Sequence, residues 1–218
     1  MVSVRVGIVS KTDVPVNPPR RRLRGAERRA RIEAAAVVAF AHRGYDATAI
    51  GEIAAAAGVT RTVLYDHFPD KRALFLHVLA TQHELMLTEI ARGITSEGGP
   101  RDRVRATLAS YLRFTRDHPA ARRLLLDPIP SGDAELDEVV RGYLDDRANA
   151  ISGMVSADLA RVGVDLASTS LPVIVAVVSG AADGLAQWWA LHPDTPFDEV
   201  VDAATRLLWN GLPRAGDP

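Results

Sequence analysis

The stretch TAIGEIAAAAGVTRTVLYDHF, residues 48–68, decides the reading of this chain. Two short apolar segments, 49–57 and 61–67, stand on either side of a glycine turn. Thr48 and Thr60 sit just ahead of them, each offering a hydroxyl to the unpaired amides of a first helical turn. Gly58 can take the left-handed backbone that a tight turn needs. Ala54 is small enough to let two helices cross closely, and Ile53, Val59 and Leu64 are the expected contacts between them. This is the helix-turn-helix pattern, whose second helix fits a DNA major groove about 12 Å wide.

Working outward, the helical period continues on both sides. Ile32, Ala36 and Phe40 repeat at i, i+4 and i+8 from residue 26 onward, and Gly44 is the expected stop. Pro69 and Asp70 open a long fourth helix over 71–96, carrying Leu74, Val78 and Leu85. Gly98-Gly99-Pro100 breaks it. Further helices are predicted over 101–118, 120–126, 132–161, 171–191 and 198–209. About nine helices and no convincing sheet make the chain all-α. The expected organisation is a flexible Arg-rich arm at 1–24, a three-helix DNA-binding head at 25–70 and a larger helical body at 71–218. The arm carries Pro15, Pro18 and Pro19, then Arg20, Arg21, Arg22 and Arg24. It reads either as a solvated tail or as an arm reaching an adjacent minor groove.

The longer stretch GYDATAIGEIAAAAGVTRTVLYDHFPDKRALF, residues 44–75, resembles the DNA-binding domain of the TetR family of bacterial transcription regulators. The matching residues are Phe40, Gly44, Thr48, Ile53, Ala54, Ala57, Gly58, Val59, Leu64, Tyr65, His67, Phe68, Lys71 and Leu74. The resemblance implies a dimer reading a palindromic operator, with Thr48, Thr60, Arg61, Thr62, Tyr65, His67 and Lys71 at the DNA. Arg61 would fork to guanine O6 and N7, Tyr65 and His67 would touch backbone phosphate, and Lys71 would grip a phosphate at a helix start. Three positions depart from the pattern. Ala49 and Gly51 stand where hydroxyl, polar or basic residues are common. Asp66 adds a negative charge that can pair with Arg61.

Composition sets the outer bounds. The chain has 218 residues, no Cys, 26 basic and 27 acidic residues, and a net charge of −1. Disulfides and thiolate metal sites are therefore excluded. The charge is uneven: residues 1–80 carry net +6 and residues 81–218 net −7, and 1–24 alone carry +5. The uncharged run 166–182 falls short of a bilayer span and is expected to be a buried helix, with no membrane partner and a cytoplasmic location. His42, His67, His77, His83, His118 and His192 show no metal spacing, and no catalytic fingerprint occurs. No catalytic residue, metal or cofactor is expected. An enzyme is the less favoured alternative, and an effector-independent DNA-binding protein the other.

Within the body, Ala176, Gly180, Gly184 and Trp188 form a row of mostly small residues that permits close helix approach. With Val200, Ala204, Leu207, Leu208 and Gly211 it makes 171–211 the expected homodimer surface. The family's regulators hold a small-molecule effector among the middle helices, and the chain is read as a repressor released by such an effector. Here Tyr111, Phe114 and His118 share one helical face, and Tyr143, Arg147, Ile151 and Met154 another, with Trp188 near. These are the candidate effector residues: Tyr111, Phe114, His118, Tyr143, Arg147, Met154 and Trp188. A buried Arg147 requires an anionic partner, either Asp or Glu or an acidic ligand.

Overall fold

The computed structural model describes residues 25–161 and 170–211, apart from the side chains of residues 144, 154–159 and 161. Among the described residues nine α-helices follow one another: α1 (Gly25–Ala47), α2 (Ile50–Ala57), α3 (Arg61–His67), α4 (Lys71–Ile94), α5 (Pro100–Asp117), α6 (Pro119–Leu126), α7 (Ala134–Arg161), α8 (Leu171–Leu191) and α9 (Phe197–Gly211). No strand occurs among the described residues. The all-α expectation holds, with boundaries within about two residues of those predicted except at α1, which resumes past its expected stop at Gly44 and ends at Ala47. The arm at 1–24 lies outside the described residues.

Punctuation in the sequence explains most of these boundaries. Gly44 breaks the end of α1 with φ 73° and ψ 178°, a backbone that a residue with a Cβ resists. Gly58 ends α2 at φ 67°, and Val59 N–H then bonds back to Ala54 O at 3.0 Å. Thr60 caps α3 by accepting from Val63 N–H at 3.3 Å, and Asp70 caps α4 by accepting from Ala73 N–H at 2.7 Å. Thr48 does not cap α2. Its hydroxyl turns back to donate to Gly44 O at 2.6 Å, the residue is 2% exposed, and Ala49 takes the N-cap position with no side-chain bond.

One continuous core runs through the molecule. In the head, Ile32, Ala36 and Phe40 of α1 meet Ile53 of α2 and Leu64 of α3. Fully burying an aliphatic or aromatic side chain is worth about 1.5–3 kcal/mol. Phe40 and Phe75 pack edge to face with centroids 5.0 Å apart, which binds α1 to the first turns of α4. Farther along, Met86, Ile90 and Ile94 of the same helix are buried in the body core with Leu108 and Leu112 of α5.

The α6–α7 loop closes over the end of α1. Ile129 seats on Gly44, where a built Cβ would lie 2.9 Å from its Cγ2. Gly132 N–H donates to Asp46 Oδ2 at 2.6 Å, and Arg72 of α4 pairs with Asp133. Head and body are therefore joined through α4, through α6 packed on α1, and through this loop.

The uncharged run in α8 is not a buried helix. By length and composition this helix is apolar enough to cross a membrane, yet only 22% of its most apolar stretch is buried. Ile174, Val175, Ala182, Ala186 and Trp189 face inward, and Asp183 on the same helix pairs with Arg147 of α7. Val173, Val177, Trp188 and Leu191 face out.

Candidate functional site

The head presents α3 with its apolar side inward and its polar side out. Leu64 and Phe68 are buried, while Thr60, Arg61, Thr62 and Tyr65 are exposed, Tyr65 by 49%. His67 is half-buried at the C-terminal end. Behind α3 a polar cluster fixes its end: the Arg29 guanidinium lies 4.5 Å over the Phe68 ring and pairs with Glu33 at 2.9 Å. Glu33 also meets His77 Nε2 at 2.7 Å. A helix held on its inner side and open on its outer side is what groove reading requires.

The Arg61 side chain lies over Gly51 of α2 and would have to swing aside for any larger residue there. Its guanidinium crosses α2 so closely that a Cβ on Gly51 would lie 2.3 Å from Nη2. Asp66, which could pair with Arg61 or accept from cytosine N4, forms no ion pair with Arg61 among the described residues. Lys71 is half-buried at the start of α4. Its ammonium donates to Asp46 O at 3.1 Å and lies 4.5 Å above the Tyr45 ring. Six of the seven residues expected at DNA therefore lie on or beside the outer side of α3 and the start of α4. Thr48 is the exception, because its hydroxyl is consumed inside the head.

The body assembles a second, interior constellation from three helices. Arg147 of α7 is 7% exposed and holds Asp183 of α8 through two bonds, Nη2 to Oδ2 at 2.8 Å and Nη1 to Oδ1 at 3.3 Å. Tyr111 of α5 donates its hydroxyl to the same carboxylate. Burial, with Asp183 beside it, pushes the phenol far above its ordinary range, so Tyr111 stays a donor. The anionic partner that a buried Arg147 demanded is thus Asp183, which the sequence reasoning missed. Its signal was present: Asp183 is the single charged residue in α8.

These three side chains line a cavity of about 70 Å³ with Ile90, Leu108, Ile151 and Val178. Not every candidate effector residue reaches it. Phe114 is buried in the core nearby, with its ring 5.1 Å from His118. Tyr143 is half-buried and packs 5.0 Å from His83 of α4. His118 is exposed at the α5–α6 junction, and Trp188 is exposed and stacked on His192 at 4.4 Å. Both belong to the surface, because helical spacing fixes a face but not what that face meets. The side chain of Met154 lies outside the described residues. His83 is buried, and burial lowers its pKa below the ordinary value, so it is held neutral.

A helix pair joined by a left-handed glycine, with the second helix open to solvent along its polar side, defines a helix-turn-helix DNA-binding protein. The comparisons with known proteins agree. Residues 32–78 match the family model described as bacterial regulatory proteins, tetR family. The chain is 28% identical over 193 residues to the HTH-type transcriptional activator FasR of Mycolicibacterium smegmatis, across 88% of this chain and 85% of that one. It is 27% identical over 164 residues to the probable acrEF/envCD operon repressor of Escherichia coli, across 72% and 73%. Its fold matches FadR from Bacillus subtilis, solved in complex with stearoyl-CoA, at a TM-score of 0.70 and 15% identity over 84% of this chain and 98% of that one. Over residues 32–78 the chain therefore carries the DNA-binding region of that family's model, and the relatives it matches are transcription regulators.

Proposed function

We propose that the chain is a dimeric repressor that reads a palindromic operator and is released by a small-molecule effector in the cytoplasm. In this reading residues 25–70 form the DNA-reading head and residues from 71 onward the effector and dimer body. Arg61 reads a base edge, with Thr60 and Thr62 beside it. Tyr65, His67 and Lys71 take phosphates, fixing register rather than sequence. Thr48 acts one step back, holding the start of α2 against Gly44.

The dimer surface in this reading is the outer side of α8 and α9. Ala176, Gly180, Gly184 and Trp188 are all exposed along one row of α8. A Cβ built on Gly180 or Gly184 meets nothing within 4 Å. Leu191 is 75% exposed and Leu207 76%, and Leu185, Trp188, Ala204 and Leu207 line a groove of about 370 Å³. An apolar row with small residues at its centre suits a second copy of the same helices packing across a twofold axis.

The observation that carries the effector mechanism is the continuity of α4. At 24 residues it is about 36 Å long. Its first turns belong to the head, through Asp70, Leu74 and Phe75, and Ile90 forms a wall of the body cavity. A ligand that favours one position of Ile90 thereby favours one spacing of the two heads. The shift in operator affinity is limited to the ligand's differential affinity for the two states.

The test is binding to a duplex from the region upstream of the chain's own operon, at moderate salt, against a random duplex. Specific retention is expected, and Arg61→Ala with Tyr65→Phe is expected to weaken it. Equal affinity for both duplexes refutes the operator reading. Reporter expression in a deletion strain reads the sign: a rise supports repression, and a fall marks an activator.

A further inference from the structure

Arg147 carries one polar group that no described residue completes. Its two terminal nitrogens are spent on Asp183, whereas its Nε is buried without a hydrogen-bond partner among the described residues. Tyr111 is committed to Asp183 as well, and of the two hydroxyl residues that also line the cavity, Thr107 donates to Arg103 O at 2.7 Å and Ser179 adds one further neutral polar group. Buried donors are nearly always satisfied in folded proteins, so an orphaned guanidinium nitrogen on a cavity-lining residue marks a place where a ligand can supply the acceptor.

The charges narrow that ligand further. Arg147 and Asp183 already balance one another. A carboxylate entering beside them brings a second negative charge into a wall built from Ile90, Leu108, Ile151 and Val178, and its desolvation opposes binding. A hydrocarbon enters freely but leaves Nε unmet. A neutral acceptor satisfies the donor without disturbing the pair.

We propose that this cavity is the polar-recognition end of the effector site. It takes an electrically neutral, mainly apolar molecule bearing a single carbonyl, a ketone or an ester, whose oxygen accepts from Arg147 Nε–H once the side chains that cover this fully buried nitrogen part. The inference rests on the effector-responsive reading above and names the ligand class for it. A volume of about 70 Å³ holds the carbonyl and its first carbons, since a water claims ~30 Å³ of liquid. A longer tail must part α5, α7 and α8 or press on Ile90 of α4, which is the movement that effector release requires.

The experiment uses the ¹⁵N-labelled full chain and three probes of matched length: 2-heptanone, heptanoate and heptane. Titrations follow the Arg Nε–H resonances and the affinity of each probe. In parallel, retention of the operator duplex is read in the same samples. The resonance of Arg147 is assigned by its loss in the double exchange Arg147→Met with Asp183→Leu. That exchange removes both charges together and keeps apolar volume, a change that buried pairs commonly tolerate.

The expected result is a shift of the Arg147 Nε–H with 2-heptanone, and binding at least about tenfold tighter than heptane or heptanoate, the scale of one charge-assisted hydrogen bond. The double exchange, with Tyr111→Phe added so that the phenol freed from Asp183 is not a new donor, is expected to bind 2-heptanone and heptane alike. Heptane or heptanoate binding as tightly as the ketone, or an Nε–H unmoved by all three probes, overturns the proposal. The two readings separate cleanly. Ketone bound at Arg147 with the operator still held supports this inference and sinks effector release. Operator released by the ketone with Arg147 unmoved sinks this inference and leaves effector release standing.

Discussion

The head and the body solve opposite problems with similar residues. The head buries apolar side chains and turns Thr60, Arg61, Thr62 and Tyr65 outward. The body buries Arg147, Tyr111 and His83, and turns Val173, Val177, Trp188, Leu191 and Leu207 to solvent. The head's apolar surface is already covered within one chain, and its exposed polar groups await a polyanion. The body keeps an apolar core too, but adds a buried polar cluster and an exposed apolar face. Its apolar exterior calls for a second apolar surface, and its polar interior for an acceptor. The difference teaches where a single chain is complete and where it is a component.

The largest effect should come from the polar interior. Asp183→Ala strands the Arg147 guanidinium and should cost about 3–5 kcal/mol in chemical denaturation. A loss below about 1 kcal/mol would mean that water reaches the pair, and the contrast between head and body would collapse. The apolar exterior is tested by Gly184→Arg, placed where the structure leaves open space. Sedimentation should show a monomer with wild-type helicity. Operator affinity should fall on the order of 100-fold, because the two heads are no longer linked. A variant that still sediments as a dimer removes α8 from the interface.

A smaller effect separates structure from DNA contact inside the head. Thr48→Val removes the hydroxyl bond to Gly44 O and should lower stability by about 1 kcal/mol, with operator affinity of the folded protein unchanged. An affinity loss without a stability loss would place that hydroxyl at the DNA after all. The smallest effect concerns acid. Because burial depresses the pKa of His83 in the folded chain, the unfolded chain takes up the proton first as pH falls. The contribution of His83 is therefore present above about pH 6.5 and is lost as pH drops below it toward the folded-state value. His83→Gln should flatten the pH dependence of the urea midpoint over that window, and an unaltered slope would assign it to other groups.

The nine helices were legible because glycine and proline mark nearly every boundary and a 3.6-residue period fills the spans between them. The outward residues of α3 were legible for a related reason: Leu64 and Phe68 fix its inner side, so the rest must face out. What failed depended on longer-range geometry. A threonine before a helix looks the same whether its hydroxyl turns forward to its own amides or back to a carbonyl that Gly44 has freed. Trp188 and His118 lie on faces that spacing identifies correctly, but only tertiary packing decides that those faces meet solvent. Asp183 was passed over because α8 was read for its apolar residues, when its lone charge was the informative one.

The seat of Ile129 on Gly44 has a consequence for how such a protein can change. The broken end of α1 is a socket that admits one branched side chain and no Cβ of its own. Beside α4 and α6, the body engages the head with a plug of that shape and a backbone amide for Asp46. The cavity lies elsewhere, among α4, α5, α7 and α8, and none of its lining residues belongs to the plug. Ligand preference can therefore be rewritten residue by residue while the coupling stays intact, as a lock is rekeyed without replacing the bolt.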